Sequence, residues 1–415
     1  MLNAVRLQNF RSFADTEEVR LSKLNVLIGP NNAGKTTLAS AIELFFRTLK
    51  AGPRQDPLAL EEMSAFASFD SILRRHWAPG EQRPKHIRLE YWWSARDEAA
   101  ARYSFTCQAR PKDNTTYVAE AAYELGDDSI HISRKTVSPT RSTYQVASGS
   151  DRFVSDRLYF QSGLPLPYQD KRLGASRLLD RARTRIKLEV IHPSRPVPRS
   201  YYVLDDPSLT PSDRDLLSYL IRIWSSEEVS AKRVRRRIVQ TLDTLALARL
   251  FEVHQISRRL GPKVFEIRVA PTIRRHRVTI ADAGFGLSQA LPLAAYEARL
   301  FQGHLIAYQP EVHLHPYAQS RLADVFVNSL ARGNQIFVET HSPDLILRLQ
   351  AKIASGELKS TDVCILCVEN VKGRSLVRSV ALGSSGAPSI PWPAGFLDTS
   401  LTLARELASA RLKKK

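Results

Sequence analysis

The chain has 415 residues, 43% hydrophobic and 25% charged, enough for a large core and outside the collagen-like, disordered and coiled-coil classes. Lys and Arg number 60 against 42 Asp and Glu, a net charge of +18 that favours polyanionic or acidic partners through long-range attraction. Three scattered cysteines do not make a disulfide framework, and no apolar run reaches the roughly 20 residues of a membrane span, so the sequence predicts a soluble, cytoplasmic protein.

Taken in chain order, Val5 to Phe13 alternates apolar and polar residues like an edge strand and turns through Asn9-Phe10-Arg11-Ser12-Phe13. Val26-Leu27-Ile28 is a short apolar strand, followed by Gly29-Pro30-Asn31-Asn32-Ala33-Gly34-Lys35-Thr36-Thr37 and a helical pattern from Leu38 to Phe46. This is GxxxxGK[ST] in its required strand-to-helix setting. Glycines let backbone N–H groups curl around phosphate oxygens, and the helix N-terminus adds positive potential. Lys35 has the reach for the β and γ phosphates, and the Thr36 hydroxyl is a Mg²⁺ ligand type. A nucleoside triphosphate site is predicted here.

Pro57 to Leu73 reads as helical, and Ile87–Trp93, Ala101–Gln108, Tyr117–Glu124 and Ile130–Arg134 read as strands of a meander. An arginine-rich helical stretch runs from Tyr168 to Arg185. The prolines of Ile191 to Tyr202 fix an extended path from which Arg195 and Arg199 project. Ser212 to Leu250 has the 3–4 spacing of long helices and contains Lys232-Arg233-Val234-Arg235-Arg236-Arg237, either a solvated helix face or a phosphate-binding patch.

Asp282 to Gln289, with Gly284, Gly286 and Ser288, opens a helix-like run from Ala290 to Leu300, a second candidate anion-binding helix end. His304 to Pro316 carries Tyr308-Gln309-Pro310-Glu311 and then His313-Leu314-His315-Pro316. The two histidines lack a third ligand at zinc-like spacing and are read as packing and interface residues. Gln335 to Val338 is β-like and leads into Glu339-Thr340-His341-Ser342-Pro343, where a helix resumes. His341 can donate to phosphate and titrates near neutrality. Further strands are expected at Val363–Glu369 and Ser375–Leu382; the first contains Cys364 and Cys367, whose CxxC spacing is read as part of a buried strand.

The opening Asn9–Phe13 together with Gly29–Thr37 resembles the start of the RecF, SMC and OLD-type ABC ATPases. The Gly286-Leu287-Ser288-Gln289 segment resembles their signature, Tyr308–Pro316 their Walker B strand and following loop, and Glu339–Pro343 their switch. The tail Pro391 to Asp398 resembles the "WPxGFFDE" ending of a branch of AAA-labelled ABC-type ATPases. The resemblance implies an α/β P-loop fold with a mixed central sheet, an antiparallel β subdomain and a helical insertion. It implies ATP and Mg²⁺ as cofactors. Arg11, Gly29, Asn31, Asn32, Gly34, Lys35, Thr36 and Thr37 would hold the nucleotide, with Thr36 on the metal. Gly286, Ser288 and Gln289 would reach the γ-phosphate of a partner copy in a homodimer, and His341 would sense it. Arg11 is otherwise a solvated turn residue.

The sequence departs from that pattern at Tyr308 and Gln309, where the family carries the metal-shell and water-polarising acids. A phenol and an amide cannot act as ionised carboxylates at neutral pH. Glu311, two residues on and so on the same side of an extended strand, is the nearest acid; it either serves metal and water or holds the dimer-facing loop. Gln309, Glu311 and His341 are the candidate catalytic residues.

Five segments are expected: an ATPase lobe at 1–55, a β-rich subdomain at 56–207, a helical insertion at 208–262, a second ATPase lobe at 263–382 and a tail at 383–415. The leading functional expectation is an ATPase that dimerises with nucleotide and gates a separately encoded effector, a nuclease or toxin, as in anti-phage defence systems, with slow or partner-dependent hydrolysis. The alternatives are a nucleotide-locked DNA clamp and a RecF-like repair factor.

Overall fold

Aromatic side chains spaced at 2 along strands, together with the adjacent Phe45 and Phe46 of one helix, decide how the first part of the chain packs. In the computed structural model, the described residues are 1–63, 66, 68–74, 82–94, 100–136, 142–156, 158–166, 186–193, 195, 197–203, 206–257, 263–272, 276–393, 396, 397, 406 and 409. The arginine-rich stretch of 168–185 and most of the tail beyond Pro393 lie outside them. The chain forms two compact units, Met1–Leu188 with Val363–Val380, and Glu189–Asp362 with Ala381–Lys415.

The first unit holds a nine-stranded sheet. Its path runs from Asp151–Ser155 through Thr143–Ser148, Asp128–Thr136, Thr116–Leu125, Ala101–Ala109 and Ile87–Trp93 to Leu2–Phe10 and Phe13–Asp15; Val19–Arg20 pairs with Leu2–Phe10 off this path. The pairings described are antiparallel, as expected for a meander. On one face Tyr91, Tyr103, Phe105 and Tyr123 are fully or almost fully buried. The helix Lys35–Lys50 lies on them: Phe45 stacks on Tyr91 with centroids 4.4 Å apart, and the Tyr91 hydroxyl donates to Ala41 O at 2.9 Å. Burial of each such aromatic contributes about 2–3 kcal/mol, so this face fixes the helix that the phosphate loop enters.

The strand Leu24–Ile28, buried throughout, runs parallel to Val363–Val371, which is antiparallel to Arg374–Val380. Cys364 and Cys367 are buried in this central strand, and burial pushes the Cys367 thiol up to about 12, which makes it inert.

In the second unit Leu188–Ile191, His304–Tyr308 and Gln335–Glu339 are sheet neighbours in that order, the last two parallel. Helices Phe285–Arg299, Pro316–Leu330 and Pro343–Ala354 follow. A separate small sheet contains Tyr202–Val203, Ala248–Gln255, Val264–Pro271 and Val278–Thr279.

Three expectations change. Pro57 to Leu73 is not one helix: its described residues include a 3₁₀ turn at Leu60–Glu62, a non-helical Met63 and a separate helix at Phe69–Ile72. Its end pairs instead with the first hairpin, Ile72 O accepting from Arg11 N–H and Asn9 O from Arg74 N–H. The insertion is two helices, Pro211–Ser225 and Val229–Thr244, and Ala248 already begins a strand, because Ala246 takes φ +56° and ends the helical run. Strands Thr143–Ser148 and Asp151–Ser155 were not anticipated.

Gly29 adopts φ +139°, and a Cβ there would lie 2.0 Å from Val368 O. Gly29→Ala is expected to lower stability by about 3 kcal/mol or more through backbone strain and overpacking, read as a reduced midpoint in urea denaturation.

Candidate functional site

The phosphate loop leaves Ile28, turns at Gly29 and enters its helix at Gly34, the N-cap, with φ +112°. No side chain caps this helix and no acid lies in its first turn, so its positive end is left to an incoming anion. A Cβ on Gly34 would sit 2.8 Å from Ser12 Oγ and 2.9 Å from Ser375 Oγ, and Ser375 Oγ donates to Ala33 O. The loop is therefore braced from two sides within the unit. Lys35, 3% exposed, curls back so that Nζ donates to Gly29 O at 3.0 Å and Pro30 O at 2.8 Å. Asn31, Asn32 and Thr36 are exposed, and Thr37 is buried. Arg11 takes φ +53°; its Nε donates to Ser71 O at 3.2 Å and its guanidinium lies 5.7 Å from the Phe66 ring.

The second group of residues lies in the other unit. Strand His304–Tyr308 ends because Gln309 adopts φ +45° and Pro310 has no N–H. Glu311 thus sits in a turn, so the two-residue strand argument for its side does not hold. The turn itself orients Glu311: Val312 N–H donates to Gln309 O and Leu314 N–H to Glu311 O. The Glu311 carboxylate is 7% exposed, and Oε1 accepts from His341 N–H at 2.6 Å. Oε2 is buried with no hydrogen-bond partner among the described residues. Burial raises the Glu311 pKa, while the His341 and Glu311 backbone N–H groups, the Thr340 hydroxyl and Arg195 pull it down. The structure thus brings Glu311 and His341 together, with the His341 side chain exposed.

Tyr308 is 3% exposed and packs flat against His192, centroids 5.8 Å apart. Its register partner on the parallel strand is Glu339, a buried carboxylate that the sequence reading passed over as part of the switch segment. Alignment of the two strand ends, not spacing, is what reveals it.

The helix Phe285–Arg299 has Gly284, φ +97°, as its N-cap, four residues before Ser288. Ser288 is buried and its hydroxyl donates to Phe285 O at 2.7 Å; Gln289 is buried too. Gly286 packs against the next segment, since a Cβ there would meet His313 O at 2.8 Å, and the Phe285 ring meets His313 edge-on at 4.8 Å. His315 caps the following helix, Nδ1 accepting from Tyr317 N–H. Among the described residues no three His, Cys, Asp or Glu side chains cluster as a metal site. Lys232–Arg237 does not form one patch: Lys232 pairs with Glu227, Arg235 donates to Ser226 O and Arg237 to Ala298 O.

With this geometry in place, the chain matches the family of the AAA ATPase domain over residues 1–153 and 228–346, well over half its length. The chain belongs to that family. This AAA ATPase domain carries its P-loop in a fold of mixed α/β type with an antiparallel sheet. It is 35% identical over 92 residues to the DNA double-strand break repair Rad50 ATPase of Methanopyrus kandleri; the match spans 22% of this chain and 8% of that protein. It is also similar to the SMC head bound to the C-winged helix domain of ScpA, at TM-score 0.49 and 15% identity over 92% of this chain and 98% of that one. The SMC head domain from Thermotoga maritima gives TM-score 0.45 at 15% identity, covering 92% of this chain and 99% of the other. Among the described residues of the AAA ATPase domain no helix is long and apolar enough to cross a membrane.

Burial opposes ionisation of Glu311, so the folded form of this acid titrates above its ordinary range. It destabilises the fold only where it is charged: the penalty is absent below about pH 4.5 and complete above the raised folded value. Glu311→Gln is therefore expected to melt higher than wild type at pH 8, with the gap closing as pH falls towards 4.5, measured by thermal denaturation across pH.

Proposed function

We propose that the chain binds ATP with Mg²⁺ through Gly29–Thr37, closes into a homodimer with nucleotide bound, and gates a separately encoded effector in the cytoplasm. A nuclease or toxin partner in an anti-phage defence setting suits this organisation. The observation that carries the reading is the uncapped, acid-free helix start with Lys35 held over the loop carbonyls. Phosphate oxygens would take the place of those carbonyls as acceptors of the ammonium. The residues present fit the metal as well. Thr36, within the loop's own unit, offers an exposed hydroxyl that would hold it. Bound Mg²⁺ would neutralise phosphate charge. Gln309 would orient water and His341 would donate to phosphate. Lys35→Ala should weaken ATP binding about 10- to 150-fold by calorimetry; unchanged affinity would refute this use of the loop.

Dimer closure through Gly286, Ser288 and Gln289 draws support from the surface beside them. Phe285 is 44% and Tyr317 53% exposed, and His313 lies against the edge of Phe285. Exposed aromatics of this size suit a second copy. Phe285→Glu is expected to keep the protein monomeric with ATP, by light scattering, while wild type dimerises; equal dimerisation of both would count against the surface.

The second reading, a nucleotide-locked DNA clamp or RecF-like factor, is favoured by Tyr308 and Gln309, which bring no carboxylate to the strand end. Arg233 and Arg236, for which no ion pair is described, would then meet phosphates. The two readings differ in how the rate responds to a partner. Steady-state phosphate release below about 1 s⁻¹ without a partner is expected in either, with a rise on adding the effector for the switch and none on adding DNA.

A further inference from the structure

Arg195 does something the family resemblance does not account for. It follows the strand Leu188–Ile191, in the proline-rich path that the sequence marked out without a role. Its guanidinium turns inward and reaches three segments. Nε donates to His192 O at 3.3 Å, close to its own backbone. Nη1 donates to Gln289 O at 2.9 Å, in the helix that starts at Phe285. Nη2 donates to Gln309 O at 2.7 Å and, more weakly, to Tyr308 O at 3.4 Å. It also lies within electrostatic reach of Glu311. These acceptors are 94, 113 and 114 residues away in sequence.

We infer that Arg195 is a positioning residue that locks the Tyr308–Glu311 turn to the start of the Phe285–Arg299 helix, so that the two move as one piece. The inference rests on the reading of this turn as serving ATP turnover. Gln309 is held at φ +45°, a conformation that a side chain other than glycine rarely adopts, and its carbonyl accepts from both Val312 N–H and Arg195. Without the second donor, the Gln309 carbonyl keeps only its local bond from Val312 N–H, and no hydrogen bond among those described ties it to the neighbouring helix. A planar fork with fixed N–H directions can serve carbonyls on two elements at once, whereas an ammonium is a single point. On the other side of the same helix start, Gly286 and Phe285 press on His313, so the turn is gripped at both ends, by hydrogen bonds at 309 and by packing at 313. A shift in Glu311 is then passed to the helix carrying Ser288, and the reverse.

The test compares the full chain with Arg195→Ala and Arg195→Lys. Melting temperature, affinity for a fluorescent ATP analogue, single-turnover phosphate release and amide hydrogen exchange in 285–289 and 309–314 are measured for each. Both variants should bind the analogue within about threefold of wild type while phosphate release falls about 100-fold, the cost of misplacing a reacting group by an ångström. Lysine should do no better than alanine, and added methylguanidinium should restore part of the release in Arg195→Ala. Exchange should rise in both segments together. Release within about twofold of wild type in Arg195→Ala, or affinity and release falling in parallel with melting temperature and no rescue, would overturn the inference. If wild type releases no phosphate in the absence of its partner, exchange decides: paired loss of protection upholds the lock, and unchanged protection in either segment overturns it.

Discussion

The absence of a side chain at Gly29 is the constraint on which the phosphate loop rests. The strand Leu24–Ile28 pairs with Val363–Val371, and the chain must leave that pairing within one residue to begin the loop. It does so with Gly29 pressed against Val368 O, at a backbone angle open mainly to glycine. Gly34 repeats the device at the other end of the loop, between Ser12 and Ser375. The loop residues Pro30 to Ala33 lie between these two close approaches, and Lys35 and Thr36 follow directly after the second. The helix beyond is held in turn by Phe45 and Ala41 on the buried face of Tyr91. Binding chemistry at the loop is thus inherited from packing beneath it, and a rigid cradle costs little reorganisation when an anion arrives.

Glu311 illustrates the opposite balance. A carboxylate that is nearly out of water is costly to ionise, and only backbone N–H groups, the Thr340 hydroxyl and a distant arginine offset that cost. Such a group is poorly suited to a purely structural task, for which an amide of the same shape would serve. Its neighbour in the fold, the register pair of Tyr308 and Glu339, adds a second buried acid at the ends of adjoining strands. Two buried acids, Glu311 and Glu339, thus accompany Tyr308 at this strand end.

Local chemistry was legible in the sequence where a backbone requirement dictates residue type. The strand Ile87–Trp93 has the bounds its alternation predicts, and the phosphate-loop helix follows its glycines. Pro57 to Leu73 misled because its buried residues, among them Leu58, Met63, Phe66 and Ile72, mimic helical spacing while the backbone instead pairs with the first hairpin. Strands Thr143–Ser148 and Asp151–Ser155 carry alternation too short to separate from a loop until Gly149 is seen to join them. Arg195 was expected to project from its proline-fixed path and instead turns inward, since nothing in a sequence distinguishes a solvated guanidinium from one that binds carbonyls a hundred residues away. The side chain orientation of Glu311 failed for a related reason: the periodicity of a strand is informative only as far as the strand lasts.

The first unit is assembled from both flanks of the second, residues 1–188 and 363–380. During synthesis Leu24–Ile28 emerges long before the strand that completes its sheet, and at about 5–20 residues per second the wait is on the order of half a minute. Through that interval the phosphate loop lacks Val368 against Gly29 and Ser375 against Gly34. Nucleotide competence thus arrives last, and a ribosome that stalls anywhere before residue 363 releases a chain whose loop is spelled out in full and not yet built.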